Sequence, residues 1–233
     1  MAAKGQGYWI PLADLMTGLM MLFMLIAVSY MGMVEQTTTL IVKEYEKTRE
    51  DLKRALQEEF ADKLKEWDAE ILGDMTLKFK NPEVLFDTGK ATLKPKFKEI
   101  LNEFIPRYIS ILTNERFKDY IKEIRIEGHT SPRWENATLE QAYFKNMKLS
   151  QERTTSALEY VLQHNSVKQD IQWLRRLITA NGLSSSRPVF KDEHGRIIDE
   201  LASQRVEFKI ITNSDEKISQ IAKSISQSKN DKF

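Results

Sequence analysis

The 233-residue chain contains no cysteine. A disulfide framework, a thiol nucleophile and a cysteine-ligated zinc site are therefore excluded. Histidine is scarce too: His129, His164 and His194 are too scattered for a His-x-x-x-His metal site. No glycine-rich phosphate loop and no nucleophile–base–acid arrangement stands out, so neither catalysis, a bound cofactor nor a metal is expected. An excess of either charge is also missing. The 35 basic residues balance 34 acidic ones to a net charge of +1, which leaves no global field to hold nucleic acid directly.

One run lacks charge altogether. Leu15 to Val34 is uncharged and rich in methionine and leucine. At about 20 residues it has the length that crosses a bilayer core. Tyr8 and Trp9 stand at one end and Tyr30 near the other, where interfacial aromatics lie. The reading is a single transmembrane helix over 9–34, preceded by a short cytoplasmic segment, 1–8. Lys4 before the span and Glu35 after it favour a cytoplasmic amino terminus.

Asp14 is the charge at the beginning of this span, behind Pro11. A carboxylate at membrane depth costs roughly 2.5–3.5 kcal/mol, so it faces protein or water and has a role there. Thr17 and Gly18 follow at helical spacing, so small and polar groups lie beside the carboxyl where another helix can approach. The plainer reading is a carboxylate that only caps the helix start.

Glycine and proline are both missing between Gly32 and Gly73. Ile41, Tyr45, Leu52, Leu56, Phe60, Leu64, Trp67 and Ile71 recur at helical spacings, with Tyr45, Leu56 and Trp67 eleven apart. The expectation is a helical linker over 35–73. It either pairs with a second copy as a stalk, the favoured reading, or folds back on the following domain.

From 74 to 213, helical and strand patterns alternate, as expected of an α+β domain with helices on one face of a sheet. KPKFKEILNEFIPRYISIL reads as a helix, KEIRIEG and QRVEFKI as half-buried strands, and RRLITANG as a short strand. LSQERTTSALEYVLQH reads as a helix with Ser150 at its N-cap. The tail, 214–233, is polar and is expected to be flexible.

Four segments of this domain occur in order: Val84–Pro95 with Phe86, Leu93 and Pro95; Ile124–Trp134 with Gly128-His129-Thr130; Asn146–Leu162 with Asn146, Leu149, Ser150 and Arg153; and Ala202–Ile210 with Arg205-Val206-Glu207. Together they resemble the OmpA-like peptidoglycan-binding domain. The resemblance implies a βαβαβ-type sandwich that grips the stem peptide of the cell wall. Arg153 would pair with a ligand carboxylate, for which a guanidinium fork is suited, with Thr130, Ser131, Asn146 and Leu149 around it. The plainer reading of Arg153 is a surface helix arginine in a salt bridge with Glu152 or a neighbour. Ser131 stands where the family usually has an aspartate that holds the ligand ammonium, so Glu135 or a backbone carbonyl is expected to replace it. His129 is expected to orient its loop through hydrogen bonds.

Ala13-Asp14-Leu15-Met16-Thr17 and the span behind it resemble the B subunits of ion-driven stators. One span with an aspartate, a linker and an OmpA-like domain is that family's layout. It implies a bacterial inner-membrane protein with a periplasmic domain, a self-dimer inside a ring of A-type membrane subunits (five A to two B), and H⁺ or Na⁺ translocated past Asp14 and Thr17. Flagellar stators belong here. The short amino terminus, the run ADLMTGLMMLFMLIAVSYM and the sequence GHTSPRW are more similar to the B subunits of Zorya anti-phage defence systems. That likeness implies an ion-driven motor acting in antiviral defence.

Overall fold

The computed structural model describes residues 9–192, 194–214, 216–217 and 219. The expected segment 1–8 and nearly all of the expected tail lie outside them. Among the described residues the chain runs in the order α1 (Trp9–Phe60), β1 (Ala69–Ile71), β2 (Leu77–Phe79), α2 (Pro82–Leu85), α3 (Pro95–Leu112), β3 (Ile121–His129), α4 (Leu139–Gln163), α5 (Ile171–Leu177), β4 (Ile178–Gly182), β5 (Val189–Phe190), β6 (Ile198–Asp199), α6 (Glu200–Ser203) and β7 (Arg205–Thr212). Two compact units divide it. One comprises 1–47 with 218–233, and the other Thr48–Lys217.

The first unit contains the apolar part of α1, which is long and apolar enough to cross a membrane. Its large side chains are exposed all round, from Trp9 through Leu22 and Phe23 to Met33. A helix apolar on every face needs lipid or protein around it. The Thr17 hydroxyl donates to the Ala13 carbonyl at 2.8 Å, and Thr37, Thr38 and Thr39 donate to carbonyls four residues back in the same way. Each hydroxyl is thus satisfied without water.

The second unit is an α+β domain. Its five-stranded sheet has the order β1-β2-β7-β3-β4, antiparallel except for the parallel pair β3/β4. Alternation along β3 and β7 separates two faces. Ile124 pairs with Ile210, Ile126 with Phe208 and Gly128 with Val206 on one face; Arg125 pairs with Lys209, Glu127 with Glu207 and His129 with Arg205 on the other. The apolar face packs on helices. Phe104 of α3 sits 5.6 Å from Phe79 and 5.0 Å from Phe208, ring centre to ring centre. Phe97, Ile100, Leu101 and Phe104 are all buried, as their helical spacing predicts.

Over its second half the linker follows the other reading and packs on the following domain rather than forming a stalk. Helix α1 ends at Phe60, and Leu52, Leu56, Phe60 and Trp67 enter the domain core. Phe60 lies 5.4 Å from Phe104, and Arg107 holds Glu59 through an Nε–Oε1 contact of 2.6 Å. The domain therefore begins at Thr48 rather than at 74. The apolar stripe that suggests a stalk seam is, over this stretch, the face that docks on the domain. Beyond it Asp68 takes φ 50°, which breaks helical geometry, and Ala69–Ile71 pairs with β2 as an edge strand.

Two further elements differ. Helix α4 begins at Leu139, with Thr138 and Gln141 forming a capping box, so Ser150 is buried mid-helix and is not an N-cap. The additional turns come from the stretch after Ser131. The segment IQWLRRL is helical, and the strand starts only at Ile178.

Candidate functional site

Helix α4 lies unusually close to the sheet. A Cβ on Gly128 would meet the Ser150 carbonyl oxygen at 2.8 Å, and one on Gly182 would meet the Gln151 backbone nitrogen at 2.3 Å. Only glycine admits this approach. Ser150 Oγ then accepts from the Ser184 backbone N–H at 3.0 Å, and Gln151 Oε1 from that of Gly182 at 2.8 Å. These bonds fix the register of α4 on β3 and β4, and so fix Arg153 one turn further along.

Arg153 is 7% exposed. Its Nε donates to the Lys90 carbonyl at 2.9 Å and its Nη2 to the Asp87 carbonyl at 3.1 Å, while the guanidinium lies 4.8 Å from the centre of the Phe86 ring. Among the described residues no carboxylate pairs with it. Glu152, the plainer partner expected from sequence, lies nearest Lys148 instead, 3.9 Å away. Asp87 turns its carboxylate to Lys94 at 3.3 Å. Burial lowers the Arg153 pKa to about 10, which leaves it fully charged at neutral pH. A desolvated guanidinium held only by neutral partners is prepared for an anion.

Phe86, Gly128, His129, Arg153 and Arg205 line a small depression at the end of the sheet. Thr130 lies beside it, buried, with its backbone N–H bonded to the Ser184 carbonyl at 2.9 Å and its hydroxyl without a partner among the described residues. The Asn146 side chain donates to the carbonyls of Ser131 at 3.0 Å and Arg133 at 3.1 Å, which holds the following loop. Asn146 therefore shapes the rim. Leu149 is buried and serves packing, and Glu135 is exposed.

The charged face of the sheet closes the other side. Glu207 accepts from Arg205 Nε at 2.6 Å, and Arg205 Nη1 reaches the Arg187 carbonyl at 3.2 Å. Burial pushes the Glu207 pKa up, but His129 and Arg205 outweigh it and hold the group at about 2. His129 does not orient a loop as expected: among the described residues its ring makes no hydrogen bond to a loop, and Nε2 faces Glu207 Oε2 at 3.5 Å. Sequence reasoning also passed over the Asp87 and Lys90 carbonyls and Ser184. Backbone acceptors leave no trace in residue type, and Ser184 lies on a loop with no patterning.

Asp14 is exposed within the first unit, and the Thr17 hydroxyl turns to the backbone rather than to that carboxyl.

Known proteins resemble this chain at two levels. The OmpA family matches residues 85–196. Zorya protein ZorB of Escherichia coli strain Crooks is 42% identical over 219 residues, covering 92% of each chain. A second Zorya protein ZorB, from Escherichia coli O139:H28 strain E24377A, is 27% identical over 202 residues, 82% of this chain and 78% of that protein. Among solved structures, a putative MotB like protein from Desulfovibrio vulgaris superposes with a TM-score of 0.48 at 18% identity, covering 76% of this chain and 99% of that one.

Proposed function

This chain belongs to the ZorB family of Zorya proteins, and on that premise we propose that it is the wall-anchored B subunit of an inner-membrane, ion-driven motor that acts in anti-phage defence. The observation that carries the anchoring half is Arg153. It is a buried cation with no carboxylate partner among the described residues, at the rim of a depression on an OmpA-family domain. A stem-peptide carboxylate would complete it. The Thr130 hydroxyl, without a partner among the described residues, would supply a second contact, and Ser131 a polar but uncharged one.

The membrane half rests on the apolar stretch of α1. In this reading it spans the inner membrane once, with the amino terminus cytoplasmic and the domain periplasmic. Two copies sit within a ring of five A-type subunits. Asp14 carries H⁺ or Na⁺ between half channels, with Thr17 one turn away. A cation driven across the field gains roughly 2.3 kcal/mol per 100 mV.

Each half has its own test. Arg153→Ala is expected to weaken binding of the full chain to purified peptidoglycan by about 10- to 150-fold, since a lost charge-assisted pair is worth about 1.5–3 kcal/mol. Retention equal to wild type would remove the anchoring site from this position. Asp14→Asn is expected to abolish protection against phage while abundance and membrane localisation stay normal. Full protection by that variant would support a passive anchor instead. A swimming defect on deletion, with phage sensitivity unchanged, would replace the defence role with a flagellar-type stator role.

A further inference from the structure

On the polar face of the sheet, Glu127 and Glu207 are direct cross-strand partners. Like charges placed opposite one another destabilise a sheet unless a cation lies between them. Three arginines surround the pair and balance its charge. Arg125 Nη1 lies 3.3 Å from Glu127 Oε1, Arg187 Nη1 3.0 Å from Glu127 Oε2, and Arg205 Nε 2.6 Å from Glu207 Oε1. The second Glu207 oxygen, Oε2, instead faces His129 Nε2 at 3.5 Å, and Glu127 Oε2 lies 3.8 Å from the same nitrogen. The His129 side chain is 1% exposed, and among the described residues Nδ1 has no partner and Nε2 has only these two long carboxylate approaches. A buried imidazole left so is costly unless something binds it.

We propose that Glu127, His129 and Glu207 hold a divalent transition-metal ion of the zinc class. One imidazole nitrogen and two carboxylate oxygens are a donor set that such ions accept, with water in the fourth position. Tetrahedral coordination at zinc distances places ligand atoms roughly 3.3–3.6 Å apart, close to the spacing between His129 Nε2 and the two carboxylates. The three ligand atoms already lie within 4.8 Å of one another. Arg205 holds the outer oxygen of Glu207 and Arg125 that of Glu127, which is how carboxylate ligands are commonly oriented. Arg187 is the group that yields. Its side chain is 56% exposed, and a dication at Glu127 Oε2 replaces its charge there. The ion joins β3 to β7 immediately before Thr130 and Ser131, and so stiffens the rim of the depression. His129 also lines that depression, but the metal reading does not depend on peptidoglycan binding.

The test uses the full chain in detergent, stripped with chelator, exposed to Zn²⁺ and dialysed before metal counting by mass spectrometry. Wild type is expected to keep about one Zn²⁺ per chain and to melt at a higher temperature with Zn²⁺ than with chelator. His129→Gln and Glu207→Gln, each checked for native circular dichroism, are expected to bind at least about tenfold more weakly. Wild type also carries its own spectroscopic check, because Co²⁺ at this site gains visible d–d absorption that equimolar Zn²⁺ removes. Metal-free wild type after dialysis, no Co²⁺ absorption, or folded variants that retain metal as wild type does would each overturn the proposal.

Discussion

At the scale of single residues, what matters is which charges are balanced and which are not. Glu123 is balanced. It accepts from Arg125 at 2.7 Å and from the Thr179 hydroxyl at 2.7 Å, and chiefly the Arg125 bond lowers its pKa below 4.5. A depressed folded pKa means that the stabilisation is present above the unfolded value and fades as pH falls through the folded one. Glu123→Gln is therefore expected to lower stability by no more than about 1 kcal/mol near neutral pH, because the pair is partly exposed. The gap from wild type should close on acidification below pH 4.5, read as melting temperature across a pH series. A gap that widens toward acid would contradict the assignment. Arg153 is the unbalanced case, a charge with backbone carbonyls in place of a counter-ion. The sequence named this residue through its motif, but its burial and lack of a partner depend on the loop around Lys90, 63 residues earlier.

At the scale of elements, the close packing of α4 against β3 and β4 governs the site. Gly182→Ala places a methyl group against the Gln151 backbone, where no side chain can turn aside. The expected loss is about 1–3 kcal/mol, measured by urea unfolding, and it should be accompanied by weaker peptidoglycan retention because α4 carries Arg153. Unchanged stability would mean that α4 lifts without cost. Strands β3 and β7 were legible from alternation, since one face is apolar and the other charged. The start of α4 was not. Thr138 and Gln141 form its capping box, yet the loop-like residues before them hid the signal, and Ser150 offered a plausible alternative cap.

At the scale of the whole molecule, the boundary between the two compact units falls inside a continuous helix. Leu52, Leu56, Phe60 and Trp67 contribute four large side chains to the domain core. At roughly 1.5–3 kcal/mol each, their burial is comparable to the whole stability of an ordinary domain, about 5–15 kcal/mol. A fragment beginning at residue 48 is therefore expected to unfold in one cooperative step. One beginning at residue 74 should lack that step or melt far lower, as followed by circular dichroism. Equal melting of the two would show that the last turns of α1 are dispensable.

Periodicity and composition determined by themselves that an uncharged span precedes an α+β domain, because hydrophobic spacing is a local property that each segment carries alone. Motif order likewise pointed to the OmpA-like domain and to Arg153. Only the tertiary structure decided where the long helix stops serving as linker, that Arg153 has no counter-ion among the described residues, and that His129 stands between two carboxylates. Those facts depend on residues far apart in sequence. Glu127 and Glu207 lie on separate strands, and β7 inserts between β2 and β3 only when the sheet assembles. A cross-strand neighbour is set by register, and register is fixed by packing the whole apolar face at once.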